Sequence, residues 1–186
     1  MIKKTVVLAF FAISYSLCFA PNLTGILQEC YKQRSATDLR KWNWENEFTR
    51  WKKELGFKES GGDWTIYNKY GCIGTYQFQV TTLRNLGFRG ITFEEFKTNP
   101  AVFPEEIQDL ALRALIRANA AAMHSCERYV GQTIGGVLIT RSGLLAAAHL
   151  GGIGGVKSFL RRNINMRDRN GASIRGYLVK FSGYNL

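Results

Sequence analysis

Apolar positions along this chain recur at helical rather than strand spacing. In "TDLRKWNWENEFTRWKKEL", Leu39, Trp42, Phe48, Trp51 and Leu55 fall largely three or four residues apart. That spacing predicts an amphipathic helix starting at Thr37 and ended by Gly56. "YQFQVTTLRNLGF" predicts a short helix, and Pro100 and Pro104 bracket a turn after it. "PEEIQDLALRALIRANAAAMHSCERYV" opens with proline and two acids, as a helix start should. Its expected buried stripe is Ile107, Leu110, Ala111, Ala114 and Ala118. "SGLLAAAHL" predicts a very apolar helix capped by Ser142. "GGIGG" breaks it, and "VKSFLRR" and "SIRGYLVKF" predict two more helices. No repeat or low-complexity tract interrupts the series. The expectation is a mainly α single domain of six to eight short helices, with a small β-element near residues 64–78.

The first twenty residues follow another pattern. "MIKKTVVLAFFAISYSLCFA" has a basic start at Lys3 and Lys4 and an apolar run from Val6 to Phe19. The run is short for a membrane span and reads as a secretory signal. Pro21 disfavours cleavage after Ala20, so an uncleaved signal anchor is the alternative. Leu17 and Phe19 around Cys18 are poor for a lipoprotein. The expected organisation is a signal peptide or anchor over residues 1–20, a polar lead-in over 21–36 and a domain over 37–186. The expected location is exported: periplasmic, cell-envelope or secreted.

Charge narrows the partners. Loss of Lys3 and Lys4 with the signal takes the formal net charge from +11 to +9. A basic surface suits an anionic partner such as nucleic acid, an anionic membrane or an acidic wall polymer, or serves only solubility. Export argues against nucleic acid, and membrane contact is expected only through a signal anchor. The four cysteines are Cys18, Cys30, Cys72 and Cys126. Three remain without the signal, so at most one disulfide closes within the chain. Cys72, His124, Cys126 and His149 fit no familiar zinc spacing, and no metal or cofactor is expected.

Two chemical motifs fail on inspection. In "GGIGGVKS", Val156 stands where a phosphate loop needs glycine before Lys-Ser, and an alanine-rich helix precedes it rather than a strand. Neither histidine sits in a recognisable nucleophile setting. What remains is "ESGGDWTIYNKYGCIGTYQF", residues 59–78, with one glutamate, four glycines and five aromatics. A carboxyl against apolar groups has its charged form disfavoured, and a protonated carboxyl can act as a general acid at a glycosidic oxygen. Trp64, Tyr67, Tyr70 and Tyr76 suit the apolar faces of sugar rings. By residue type alone, a solvated glutamate beside a loop is the simpler reading.

The spacing carries more. Glu59-Ser60, Gly71 at twelve residues, Gly74 at fifteen and Gln77 at eighteen are in register, with Asn68 between. This resembles the catalytic motifs of the soluble lytic transglycosylase family, lysozyme-like enzymes that cleave peptidoglycan. "LLAAAHLGGIGGV" resembles that family's Ala-Tyr-Asn-Ala-Gly helix end, and "YLVKFSGY" its C-terminal Tyr-Val-x-x-Val segment. The likeness covers roughly residues 40–186 and is closest to a compact secreted subgroup of the Bacteroidetes type. Two departures stand out: Ala148-His149 replaces Tyr-Asn, and Thr75-Tyr76 replaces Leu-Met before the glutamine.

The resemblance implies a lysozyme-like fold with Glu59 as the catalytic acid and base. It implies substrate contacts from Ser60, Gly74, Tyr76, Gln77, His149 and Tyr177. For three of these a structural role stays open beside the functional one. Ser60 either bonds substrate or satisfies its turn, His149 either donates to sugar or caps a helix end, and Tyr177 either meets Glu59 or is core. The implied partner is the peptidoglycan glycan strand. The implied product is a 1,6-anhydromuramoyl end from cleavage between N-acetylmuramic acid and N-acetylglucosamine. A lone carboxylate favours this over hydrolysis, which usually needs a second one about 5–9.5 Å away. Asp63 is the motif region's only candidate for that role. The alternatives are a muramidase using Asp63, and a catalytically silent glycan-binding module.

Overall fold

Helix α1 runs from Leu23 to Ser60 in the computed structural model, which describes residues 23–186. The expected signal over residues 1–20, Cys18 and the side chain of Cys30 lie outside the described residues. The helix starts well before Thr37, within the expected polar lead-in. The chain divides into two units between Asn43 and Trp44. Before the division, Leu39 and Trp42 are exposed. Helical spacing signals an apolar stripe but not what covers it, and the stripe becomes a core face only at Phe48, Trp51 and Leu55, all buried. Gly56 does not end the helix. A Cβ there would lie 2.6 Å from Thr75 Cγ2, so its missing side chain admits the following loop.

The unit from Trp44 to Leu186 is mainly helical, with two small hairpins. After α1 come β1 (Cys72–Ile73) and β2 (Phe78–Gln79), which pair antiparallel. A bridge from Tyr67 to Ile73 extends this element, so the β-structure expected near residues 64–78 is present. The helix expected over "YQFQVTTLRNLGF" is correspondingly shortened to α2 (Val80–Asn85). Then follow α3 (Phe93–Thr98), a 3₁₀ turn at Pro100–Val102, and α4 (Glu105–Ala122) with Pro104 at its N-cap.

The buried face of α4 is Gln108, Ala111, Leu112, Ile116 and Asn119. Ala111 lies on the expected stripe, whereas Leu110 and Ala118 are exposed. Two polar residues share the core face, and an apolar count alone rotates the helix away from them. A 3₁₀ segment (His124–Tyr129) and the hairpin β3 (Thr133–Ile134) and β4 (Val137–Leu138) lead into α5 (Arg141–Arg162). The N-cap of α5 is Thr140, whose hydroxyl accepts from Gly143 N at 3.1 Å. Ser142 is instead fully buried, and its carbonyl accepts from Trp51 Nε1 at 3.3 Å. From Ser142 to Ala148 every residue of α5 is buried, which explains its apolar run. Gly152, at φ 63° and ψ 177°, kinks α5 where "GGIGG" predicts a break. Last comes α6 (Ile174–Lys180), capped by the Ser173 hydroxyl.

Candidate active site

Three helices bring their side chains to one point. Glu59 occupies the last turn of α1, and the amides of Gly61 and Gly62 close that helix on the carbonyls of Phe57 and Gly56. The Tyr177 hydroxyl on α6 donates to Glu59 Oε1 at 2.5 Å. His149 Nε2 on α5 lies 4.0 Å from the same oxygen. The Glu59 side chain is 14 % exposed and that of His149 6 %, so the carboxyl meets solvent only through the cleft in front of it. Burial, and then the neighbouring Glu59 charge, push the Tyr177 hydroxyl well above its ordinary range. It therefore stays a proton donor.

The cleft has a volume of about 730 Å³, within the range of small-molecule sites. Tyr67, Asn68, Tyr70, Cys72 and Gln77 line the cleft, and Ala148, His149, Leu150 and Gly152 of α5 line it together with Glu59. Burial raises the Cys72 thiol above its usual range, so it is a thiol rather than a thiolate there. Cys72 and Cys126 are both free.

Gln77 is the strained residue of the loop, with φ 49°. A non-glycine residue in that region costs roughly 1–3 kcal/mol and persists only where its surroundings enforce it. Asn68 Nδ2 donates to Gln77 Oε1 at 2.8 Å, and Gln77 Nε2 donates to Gly74 O at 2.9 Å. Both ends of the amide are thus fixed at the cleft wall.

The other expected contacts have structural duties. Ser60 Oγ donates to Gly56 O at 3.1 Å and accepts from Gly62 N at 3.2 Å, which is the turn role. Tyr76 is buried, and its hydroxyl donates to Asp109 Oδ1 at 2.6 Å. Gly74 is buried against Gln108. None of these three lines the cleft. His149 does line it, yet its Nε2–H donates to Tyr76 O at 2.8 Å. Its Nδ1 is buried without a partner. The ring is therefore a strut from α5 to the strained loop beside Glu59. Asp63 accepts from Thr65 N and Oγ1 at 2.8 and 2.7 Å, which lowers its carboxyl, and it does not line the cleft. Trp64 is likewise absent from the lining.

Sequence reasoning missed Asn119, Asp168, Arg169 and Asn170, all at the cleft. Asn119 is only 7 % exposed, and its Nδ2 has no partner. A buried donor without a partner is unfavourable unless a ligand or water completes it. Asp168 Oδ1 accepts from the amides of Asn170 and Ala172 at 3.0 and 2.7 Å, which shapes the loop between α5 and α6.

Gly74 has φ 75°, and a Cβ there would lie 2.3 Å from Gln108 Oε1. That amide also accepts from Thr75 N and donates to the carbonyls of Trp64 and Phe103. Gly74→Ala is expected to cost at least about 2 kcal/mol from backbone strain and displaced hydrogen bonds. Thermal unfolding would register a clear drop, and an unchanged midpoint would remove Gln108 as the loop's anchor. His149→Ala and His149→Asn are both expected to lower the melting temperature, because each loses the strut to Tyr76. The lost hydrogen bond contributes on the order of 0.5–1.5 kcal/mol. Unfolding curves of both variants check this, and two unshifted midpoints would contradict the strut role.

No family model matches the chain, and no curated protein and no solved structure matches it either.

Proposed function

We propose that the protein is a peptidoglycan lytic transglycosylase of lysozyme-like fold, acting outside the cytoplasm on glycan strands. The observation that carries this reading is the short bond from Tyr177 to a mostly buried Glu59 at the base of an aromatic cleft. It adds to the register of Glu59, Gly71, Gly74 and Gln77 with the family's motif. Tyr67 offers an aromatic face for a sugar ring. Asn119, beside Leu115 and Phe78 in the lining, offers an amide and apolar walls to an acetamido group.

In this mechanism Glu59 gives its proton to the bridging oxygen as the bond to the muramic C1 breaks. The carboxylate then takes the proton of the muramic 6-hydroxyl, whose oxygen bonds to C1 and closes the anhydro ring. The substrate's own acetamido oxygen stabilises the positive C1 in between. Tyr177 holds one carboxyl oxygen, which leaves the other to work on the substrate.

Hydrolysis is the second reading, and Asp168 is the observation that favours it. It is a second carboxylate at the cleft, although one of its oxygens braces its own loop. Mass spectrometry of the products from purified sacculi tests the proposal. Anhydromuropeptides are expected, and hydrated reducing ends that disappear in Asp168→Asn would establish hydrolysis instead. Release of nothing from sacculi would leave a glycan-binding module.

A further inference from the structure

Among the described residues, Arg169 is the only lysine or arginine that lines the cleft. Its guanidinium lies 5.2 Å from the centre of the Tyr70 ring, another lining residue. Lys69 Nζ is 5.2 Å from the same ring, so two cations flank one aromatic at the rim. Neither pairs with an acidic side chain among the described residues. Asp168 beside Arg169 turns an oxygen to the amides of Asn170 and Ala172. Arg167, the other neighbour, donates to Gly171 O at 2.9 Å and braces the same loop.

A guanidinium stacked on an aromatic keeps its in-plane donors free, and those donors match a carboxylate two at a time. A neutral N-acetylglucosamine ring makes no use of a full cation. A muramyl residue does, through its lactyl carboxylate or through the carboxylates of a peptide attached there. We infer that Arg169 reads a carboxylate carried by the saccharide in the cleft and so selects muramyl glycans over neutral ones. This rests on the function proposed above.

The experiment compares wild type, Arg169→Gln and Arg169→Lys on peptide-bearing glycan strands and on strands stripped of peptide by an amidase. Binding of chitohexaose, a neutral acetylated glycan, is measured alongside. Arg169→Gln is expected to raise KM about tenfold on at least one anionic substrate, as loss of a charge-assisted pair would. A rise confined to peptide-bearing strands assigns the peptide carboxylates, and one on stripped strands assigns the lactyl group. Turnover number and chitohexaose binding are expected to stay unchanged, Arg169→Lys to recover only the part of the loss that a point charge supplies, and high salt to shrink the difference. An unchanged KM on both anionic substrates overturns the inference, as does an equal loss of chitohexaose binding. If wild type is active under those failures, the functional proposal survives them. Wild type that neither binds nor cleaves any of these glycans overturns the functional proposal, and this inference with it.

Discussion

Glu59→Gln is expected to lower turnover on purified sacculi by at least about a hundredfold, because a positioned general acid typically contributes about 10²–10⁴. The amide keeps the size and shape of the carboxyl. Its oxygen can still accept from Tyr177, so the bond that docks α6 against the end of α1 has a counterpart in the variant. What it loses is the proton for the leaving oxygen and the carboxylate that takes the 6-hydroxyl proton. The melting temperature should therefore hold while turnover collapses. Sacculus release and thermal unfolding on the same sample check both halves. A variant with wild-type turnover would remove Glu59 from the chemistry, and one that unfolds would make its role structural.

Tyr177→Phe is expected to have the next largest effect, a fall of roughly ten- to a hundredfold in turnover number. The estimate follows from the one bond deleted, since hydrogen bonds to charged groups are worth about 1.5–3 kcal/mol. The ring itself is buried, 5.6 Å from the Phe181 ring, and phenylalanine fills the same space. The fold should survive, and the loss should fall on kcat rather than KM because Tyr177, expected from the sequence as a substrate contact, does not line the cleft. The Tyr177 proton is held far above the ordinary tyrosine range by burial and by Glu59. Its donor role thus does not titrate near neutrality, and the loss in Tyr177→Phe should persist across neutral pH. A variant as active as wild type would contradict the positioning role.

The sequence made the helices legible wherever apolar spacing and burial coincide, as at Phe48, Trp51 and Leu55. It misled where they part. Leu39 and Trp42 continue the spacing but are exposed, and Gln108 and Asn119 are polar yet sit on the core face of α4. Gln108 is spent on three loop groups, and Asn119 opens on the cleft. A polar residue recurring at buried helical positions was the available signal for both. Of the candidate site, Glu59 and Gln77 were singled out by their register, and Tyr177 only by what the family resemblance implies; the structure brings the Tyr177 hydroxyl to Glu59. Tyr76 and Gly74 share that register but support the loop from behind, a distinction that spacing alone does not carry. Asp168 and Arg169 lie in a segment that reads simply as a polar turn, and only folding places it beside Tyr70.

The bond between Tyr177 and Glu59 spans 118 positions of the chain. Contacts of such long range form late, once most of the intervening polypeptide has collapsed. A chain still being made, or one clipped ahead of α6, holds its glutamate without the hydroxyl that orients it. Under the function proposed above, such a design would confine wall-cutting power to the finished molecule and leave unfinished or damaged copies poor cutters.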